Sequence, residues 1–111
     1  MLLAACGPSQ GAGPAPTLPP GGVAITAANL AFETQRLEVP AGTRFGLLFE
    51  NREGAPHNVR IYDEGAAEPL FVGEIFSGPA ARLYDVPALP LGTHRFRCDV
   101  HPQMAGEVVA G

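Results

Sequence analysis

Short runs in which apolar and polar residues alternate, each closed by turn-forming residues, constrain the fold of this chain more than any other feature. Residues 93–98 alternate strictly, and residues 44–50 place Phe45, Leu47 and Phe49 on one face. Because successive side chains of a strand point to opposite faces, such runs predict half-buried β-strands. Glycine and proline, with 14 and 12 copies, supply the turns between them. We therefore expect an all-β chain folded as an antiparallel sandwich of about seven to eight strands.

The length and composition are those of one globular domain. The chain has 111 residues, of which 46% are hydrophobic and 16% charged, so it can form a packed core. Its formal net charge is −4, and all 7 of its basic residues are arginines. These arginines form no cluster that would follow a phosphate backbone, so we predict no binding of nucleic acid.

Residues 3–6, Leu-Ala-Ala-Cys, resemble the lipobox of bacterial lipoproteins, in which an apolar residue and two small residues precede a modified cysteine. The resemblance implies cleavage before Cys6 and attachment of lipid to its sulfur. Residues 1–5 would then be the remnant of a signal peptide, because the basic and long apolar segments of such a peptide do not precede the cysteine. The alternative is that this tetrapeptide occurs by chance in an ordinary leader.

The segment after Cys6 has the composition of a linker. Residues 7–22 contain five glycines, five prolines and no charged residue, too little apolar surface to order themselves. We therefore predict a lipid-attachment cysteine with a flexible linker over residues 6–22, and one domain over residues 23–111. No run approaches the ~20 apolar residues that span a bilayer. Membrane association is expected through the lipid anchor only, in the periplasm or at the outer cell surface.

A candidate metal-binding motif lies near the C-terminus. Cys98, His101 and Met104 each follow the previous one by three residues. Apart from Cys6 and the initiator, Cys98 is the only thiol and Met104 the only thioether of the chain. Soft sulfur ligands combined with imidazole select copper. The motif therefore predicts a copper site, and a fourth ligand must come from a distant part of the sequence.

Strand parity points to His57 as that ligand. His57 shares its parity with Ile61, and Cys98 shares its parity with Phe96, so both side chains are predicted to face the core. Both residues lie at strand ends, where a site is sheltered yet near the surface. The neighbouring Asn58 can brace the surrounding loops by hydrogen bonds that orient the ligands.

With these residues the chain resembles the cupredoxins, a family of small blue copper proteins that includes the plastocyanins and azurins. The resemblance lies in residues 56–59, Pro-His-Asn-Val, and in residues 92–104. It implies a Greek-key β-sandwich and one copper ion, exchanging between Cu(I) and Cu(II), with the ligands His57, Cys98, His101 and Met104. The spacing from cysteine to methionine is most similar to the short ligand loop of amicyanins.

The resemblance implies an electron carrier and not an enzyme. Single electrons would pass between extracytoplasmic redox proteins, such as a cytochrome, an oxidase, a dehydrogenase or another copper protein. In the family the second histidine ligand lies near an apolar surface where partners dock, so His101 is the expected exit for the electron. The carrier is expected to be a monomer. The alternative among copper proteins is storage or delivery of copper without a shuttle role.

Other interpretations of the same residues need further features. A nucleophile at Cys98 would need an oxyanion site and a substrate pocket, and a binuclear copper centre would need a second cysteine nearby. A metal-free interaction domain is a further alternative. His94 shares the parity of Cys98 but lies about 13 Å before it along an extended strand. We therefore predict that His94 is a structural, hydrogen-bonded histidine and not a ligand.

Overall fold

The computed structural model describes residues 16–111, so Cys6 and the lipobox lie outside the described residues. This part of the chain consists of strands joined by turns and loops, and none of it forms a helix capable of crossing a membrane. It has nine strands: β1 (Val23–Ala28), β2 (Ala31–Phe32), β3 (Arg36–Val39), β4 (Phe45–Asn51), β5 (Arg60–Tyr62), β6 (Phe71–Val72), β7 (Ala80–Val86), β8 (Gly92–Arg97) and β9 (Ala105–Ala110).

The strands form two sheets. One sheet has four strands in the order β2-β1-β4-β7, and the other has five in the order β3-β9-β8-β5-β6. The prediction of an all-β sandwich is confirmed. The described residues form nine strands, one more than the upper end of the prediction. The additional strand, β2, has only two residues, too few for an alternating pattern to reveal it in the sequence.

Two of the strand pairs are parallel, which corrects the expectation of a wholly antiparallel sandwich. β1 pairs with β4 in parallel, from Val23 opposite Leu47 to Ala27 opposite Asn51, and β3 pairs in parallel with β9. Between β1 and β4 the chain crosses to the other sheet and forms β3. This crossing lets β4 return beside β1 in the same direction, an arrangement that alternation within a strand does not encode.

The core lies between the sheets, where the apolar faces of the alternating strands meet. Leu47 and Phe49 of β4 and Phe96 of β8 are fully buried, at 0% exposure. Phe32 of β2 contacts both sheets, since its ring centroid lies 6.2 Å from that of Phe49 and 5.3 Å from that of Phe96. Tilted and edge-on aromatic pairs of this kind add about 0.5–1.5 kcal/mol each beyond their buried area. The aromatic cluster therefore holds the two sheets together.

The end of the predicted linker contacts the domain. The N–H of Gly22 donates to the carbonyl of Pro19 at 3.0 Å, which closes a turn just before β1. The Pro19 ring lies against β4, because a Cβ atom at Gly46 would stand only 2.8 Å from its Cγ atom. Glycine at position 46 thus leaves the space that the proline ring fills.

The pairing of β5 with β8 positions the candidate site. The two strands are antiparallel, with Arg60 opposite Arg97. His57 precedes β5 and Cys98 follows β8, so both lie at the same end of the pair. The residues that follow β5 and begin β8 meet at the opposite end.

Candidate metal centre

His57, Cys98 and His101 bring one ligand atom each to a common point. Sγ of Cys98 lies 3.7 Å from Nδ1 of His57 and 3.9 Å from Nδ1 of His101. The three ligand atoms all lie within 4.8 Å of one another. His57 and Cys98 are fully buried, whereas His101 is only partly buried. The three donors therefore converge beneath the surface, and His101 is the one that solvent reaches.

The distances from Sγ of Cys98 to the two imidazole nitrogens fit a single metal ion. Thiolate sulfur and imidazole nitrogen bind a first-row ion at about 2.0–2.3 Å, so donors that surround one ion are roughly 3.4–4 Å apart. Two imidazoles and one thiolate are the trigonal donor set of blue copper sites, in which a weak thioether is the axial ligand. The residues present thus suit copper by their chemistry as well as by their spacing.

The backbone on both sides of His57 is fixed. The His57 N–H donates to the carbonyl of Phe76, and the Phe76 N–H donates back to the carbonyl of His57, both at 3.1 Å. Asn51, at the end of β4, donates from Nδ2 to the carbonyls of Phe76 and Ala55 at 2.9 and 3.0 Å. These bonds tie the loop that carries His57 to β4 and hold the imidazole in one position.

Glu53 fixes the orientation and the tautomer of His57. Its Oε2 atom lies 2.7 Å from Nε2 of His57 and accepts a second hydrogen bond from the N–H of Leu30 at 2.9 Å. The hydrogen bond from Leu30, followed by that from His57, holds the pKa of Glu53 below its ordinary value. An ionised carboxylate therefore faces Nε2 of His57, and the Nε2–H group donates a hydrogen bond to this carboxylate. The lone pair of Nδ1 is left to face Cys98, as a metal ligand requires.

Glu53 carries no sequence motif that marks it as a functional residue. Its only signal is a position four residues before His57, on the other side of a turn. An acidic residue in a surface loop is common, so this signal has no value until the loop conformation is known.

The loop from Cys98 to Met104 is closed by its own backbone. The N–H of Cys98 donates to the carbonyl of Met104 at 3.0 Å, and the N–H of Met104 donates to the carbonyl of His101 at 2.9 Å. Residue 104 is therefore held beside residues 98 and 101. The Met104 side chain is only 2% exposed and belongs to the core. Val100, within the loop, is 40% exposed and gives the surface beside His101 an apolar character.

Asn58 joins the two loops that carry the ligands. Its Oδ1 atom accepts a hydrogen bond from the N–H of Asp99 at 2.7 Å, and its Nδ2 atom donates to Oδ2 of Asp99 at 3.0 Å. Nδ2 also donates to the carbonyl of Gly73 at 3.0 Å. Asn58 follows His57 and Asp99 follows Cys98, so this pair fixes the distance between the two ligands. Asn58 is thus placed to brace the loops.

Asp99 is a second residue that the sequence analysis does not identify. Burial acts to raise its pKa, but hydrogen bonds from Asn58 and Arg60 outweigh burial and hold the pKa below its ordinary value. Nε of Arg60 lies 2.8 Å from Oδ1 of Asp99. The ion pair forms because Arg60 faces outward from β5, beside the loop that follows β8.

His94 is not part of the cluster, in agreement with its prediction as a structural histidine. It is 3% exposed. Its Nδ1 and Nε2 atoms lie 2.5 Å from Oδ1 of Asp63 and 2.7 Å from the carbonyl oxygen of Pro90. Both ring nitrogens are thus occupied within the protein, and neither is available to a metal.

Comparison with known proteins places these features in a family. The sequence profile of the cupredoxin-like domain matches residues 1–110. No curated protein sequence matches the chain. Auracyanin A, a "blue" copper protein of the bacterium Chloroflexus aurantiacus, is similar in structure with a TM-score of 0.70 at 20% identity, over 81% of this chain and 100% of auracyanin A. At this identity the similarity concerns the fold.

Amicyanins are more similar in sequence. Amicyanin of Paracoccus versutus has 25% identity and a TM-score of 0.65, over 85% of each chain. The reduced Cu(I) form of an amicyanin variant has 28% identity and a TM-score of 0.65, over 85% of this chain and 86% of the amicyanin chain. These similarities agree with the fold and with the donor set described above.

Proposed function

Because this chain belongs to the cupredoxin-like family, we propose that it is a mononuclear type 1 copper protein that carries single electrons between redox partners outside the cytoplasm. The observation that carries the proposal is the convergence of His57, Cys98 and His101 within 4.8 Å. Copper bound there would supply the one-electron couple. The likeness to amicyanin, of which a Cu(I) form is among the similar structures, supports the choice of copper over zinc.

The ligand roles follow from the positions of the side chains. His57 and His101 each turn Nδ1 toward Sγ of Cys98, and Cys98 binds as thiolate because metal binding displaces its proton. Met104 would be the thioether ligand, because its side chain is buried at the end of the same loop. Asn58 and Glu53 would hold the ligands in place and so limit their rearrangement when the copper changes oxidation state.

His101 is proposed as the route of the electron. It is the only one of the four proposed ligands that is not buried. A redox protein that docks on the surface around His101 and Val100 would approach the copper through one imidazole. The partner docked there would be a cytochrome, an oxidase, a dehydrogenase or another copper protein. All four proposed ligands come from one chain, so a monomer can form the site.

Burial argues against the alternative roles. Copper delivery requires that a receiving protein reach the ligands, yet His57 and Cys98 are fully buried. For the same reason a substrate cannot reach the Cys98 thiol, which makes a cysteine-based enzyme a poor interpretation. Storage of copper is distinguished by slow electron self-exchange in the loaded protein, whereas the proposed carrier exchanges electrons rapidly.

The test is titration of the folded protein with Cu(II) while visible absorption is recorded. An intense thiolate-to-copper band is expected at one equivalent. In Cys98→Ser the band disappears, and in Met104→Leu copper remains bound while the reduction potential rises. Absence of the band from the parent protein, or its persistence in Cys98→Ser, would refute the proposal.

Attachment of the domain to a membrane is a separate proposal. It is supported by the lipobox-like residues 3–6, and Cys6 would carry the lipid that anchors the protein in the periplasm or at the outer cell surface. Mass spectrometry of protein isolated from its native membrane should show acyl groups on Cys6. An unmodified peptide that retains Met1 would contradict cleavage and attachment.

A further inference from the structure

An ion pair of unusual burial lies beside the thiolate ligand. Asp99 follows Cys98 directly, and its Oδ1 atom lies 2.8 Å from Nε of Arg60. The side chains of Arg60 and Asp99 are 30% and 25% exposed. Nε of Arg97 lies farther from the same oxygen, at 3.9 Å. The Asp99 carboxylate is therefore compensated mainly by Arg60.

Other ion pairs of the protein are better solvated. Among residues 16–111, the arginine–carboxylate pairs that do not include Asp99 have both side chains at least 40% exposed. Water and salt screen exposed charges strongly, whereas partly buried charges act over longer distances. The charges of Arg60 and Asp99 are therefore screened less than those of the exposed pairs.

The geometry points to a function for this pair that rests on the proposed copper function and deepens it. We propose that Arg60 and Asp99 are positioning residues that set the reduction potential of the copper centre by opposite charges, and that Arg60 cancels the effect of Asp99. The Asp99 carboxylate also accepts a hydrogen bond from Nδ2 of Asn58, which connects the two ligand loops. Arg60 lets that carboxylate stand beside the thiolate without stabilising oxidised copper.

The sign of each effect follows from electrostatics. Oxidation of copper adds one positive charge to the centre. A nearby carboxylate stabilises the oxidised form and lowers the reduction potential, whereas a nearby guanidinium stabilises the reduced form and raises it. Loss of Asp99 and loss of Arg60 should therefore shift the potential in opposite directions. A merely structural role predicts no such opposition, because either loss would loosen the same clamp.

The experiment measures the reduction potentials of four copper-loaded proteins: the parent, Asp99→Asn, Arg60→Gln and the double variant. We expect Asp99→Asn to raise, and Arg60→Gln to lower, the equilibrium constant for reduction by a fixed reference couple by about tenfold, equivalent to about 59 mV for one electron. The double variant should return close to the parent, and Arg60→Lys should restore most of the potential lost in Arg60→Gln.

A matched control is available at the start of β4, the end opposite Asn51. Arg44 and Asp85 form an ion pair of 3.0 Å whose side chains are 61% and 71% exposed. Arg44→Gln and Asp85→Asn make the same changes in net charge and should leave the potential unchanged. Thermal unfolding of the metal-free variants provides a readout that needs no copper, and it separates loss of the clamp from loss of charge.

The outcomes distinguish the two proposals. A parent protein without the thiolate-to-copper band refutes the copper function itself. A parent with the band, combined with shifts of the same sign in Asp99→Asn and Arg60→Gln, or with shifts equal to those of the Arg44 and Asp85 controls, refutes the role of the pair alone. Opposite shifts with unchanged band positions support it.

Discussion

His57 and His94 lie at opposite ends of the paired strands β5 and β8, and the two residues have much in common. Each is buried and each has a ring nitrogen bonded to a carboxylate, Glu53 for His57 and Asp63 for His94. They differ in the second nitrogen. In His57 it faces the thiol of Cys98, whereas in His94 it meets the carbonyl of Pro90.

This difference determines the chemistry of each imidazole. The two partners of His94 are a carboxylate and a carbonyl oxygen, so this environment favours the protonated imidazole, in which both nitrogens donate. Burial acts to lower the pKa of His94, but the hydrogen bonds to Asp63 and Pro90 outweigh burial and raise it above the ordinary value. His57 needs one proton only, on Nε2. A buried histidine is available as a metal ligand only where the fold leaves one of its nitrogens without an acceptor.

Removal of each imidazole should give the largest contrast. We expect His57→Ala to lower copper affinity by at least about 100-fold, because it removes a ligand and not merely a partner of one. His94→Ala should leave copper affinity unchanged. Competition with a chromophoric chelator measures both variants. Equal losses of copper affinity in the two variants would show that the two ends of the β5–β8 pair are coupled. They would contradict the distinction between His57 and His94.

Replacement of the carboxylate beside each histidine by its amide tests the same comparison of His57 with His94. Glu53→Gln should weaken copper binding by about 10- to 100-fold, because the neutral amide orients His57 less strongly and no longer raises the basicity of its Nδ1 atom. Asp63→Asn is the matched control, since it alters the equivalent partner of His94. Copper affinity that falls alike in both variants would contradict a specific role for Glu53.

Asp63, which should have no effect on copper affinity, should affect the stability of the metal-free protein. Asp63→Asn is expected to destabilise the metal-free protein by about 1–2 kcal/mol, as it replaces a charge-assisted bond at a half-exposed carboxylate. Urea unfolding near pH 6 measures the change. If the variant unfolds at the same urea concentration as the parent, the His94–Asp63 contact is not an ion pair in solution.

The smallest expected effect is a pH dependence. The folded pKa of His94 is raised, so the native state holds its proton more tightly than the unfolded chain does. The resulting stabilisation is fully present below about pH 6.5, the ordinary histidine pKa, and is lost as the pH rises through the raised value. Glu53 and Asp99, whose pKa values are lowered, contribute stability that is lost only in acid, below about pH 4.

The pH dependence is checked by unfolding the metal-free parent and His94→Phe across this range. The parent should lose stability with rising pH and the variant should lose less. A steeper loss in the variant would reverse the assigned sign.

The candidate site was predictable to the extent that parity and spacing describe it. Cys98 shares its face with Phe96, and both are fully buried. Parity also placed His94 on this face, so it could not separate the two buried histidines. Glu53, Arg60 and Asp99 gave no usable signal, because their contacts depend on the folded chain. Glu53 meets His57 only across a turn, and its second partner Leu30 is 23 positions away, while Asn58 and Asp99 are 41 positions apart.

The sequence by itself determined that the chain is all-β, which side chains face the core, and a donor set suited to copper. These are local properties, set by the alternation of side chains along a strand and by the chemistry of thiol, thioether and imidazole. The tertiary structure alone decided that β1 and β4 run in parallel, and which nitrogen of each buried histidine stays free. Those features depend on which segments meet in space, as the backbone hydrogen bonds between His57 and Phe76 illustrate.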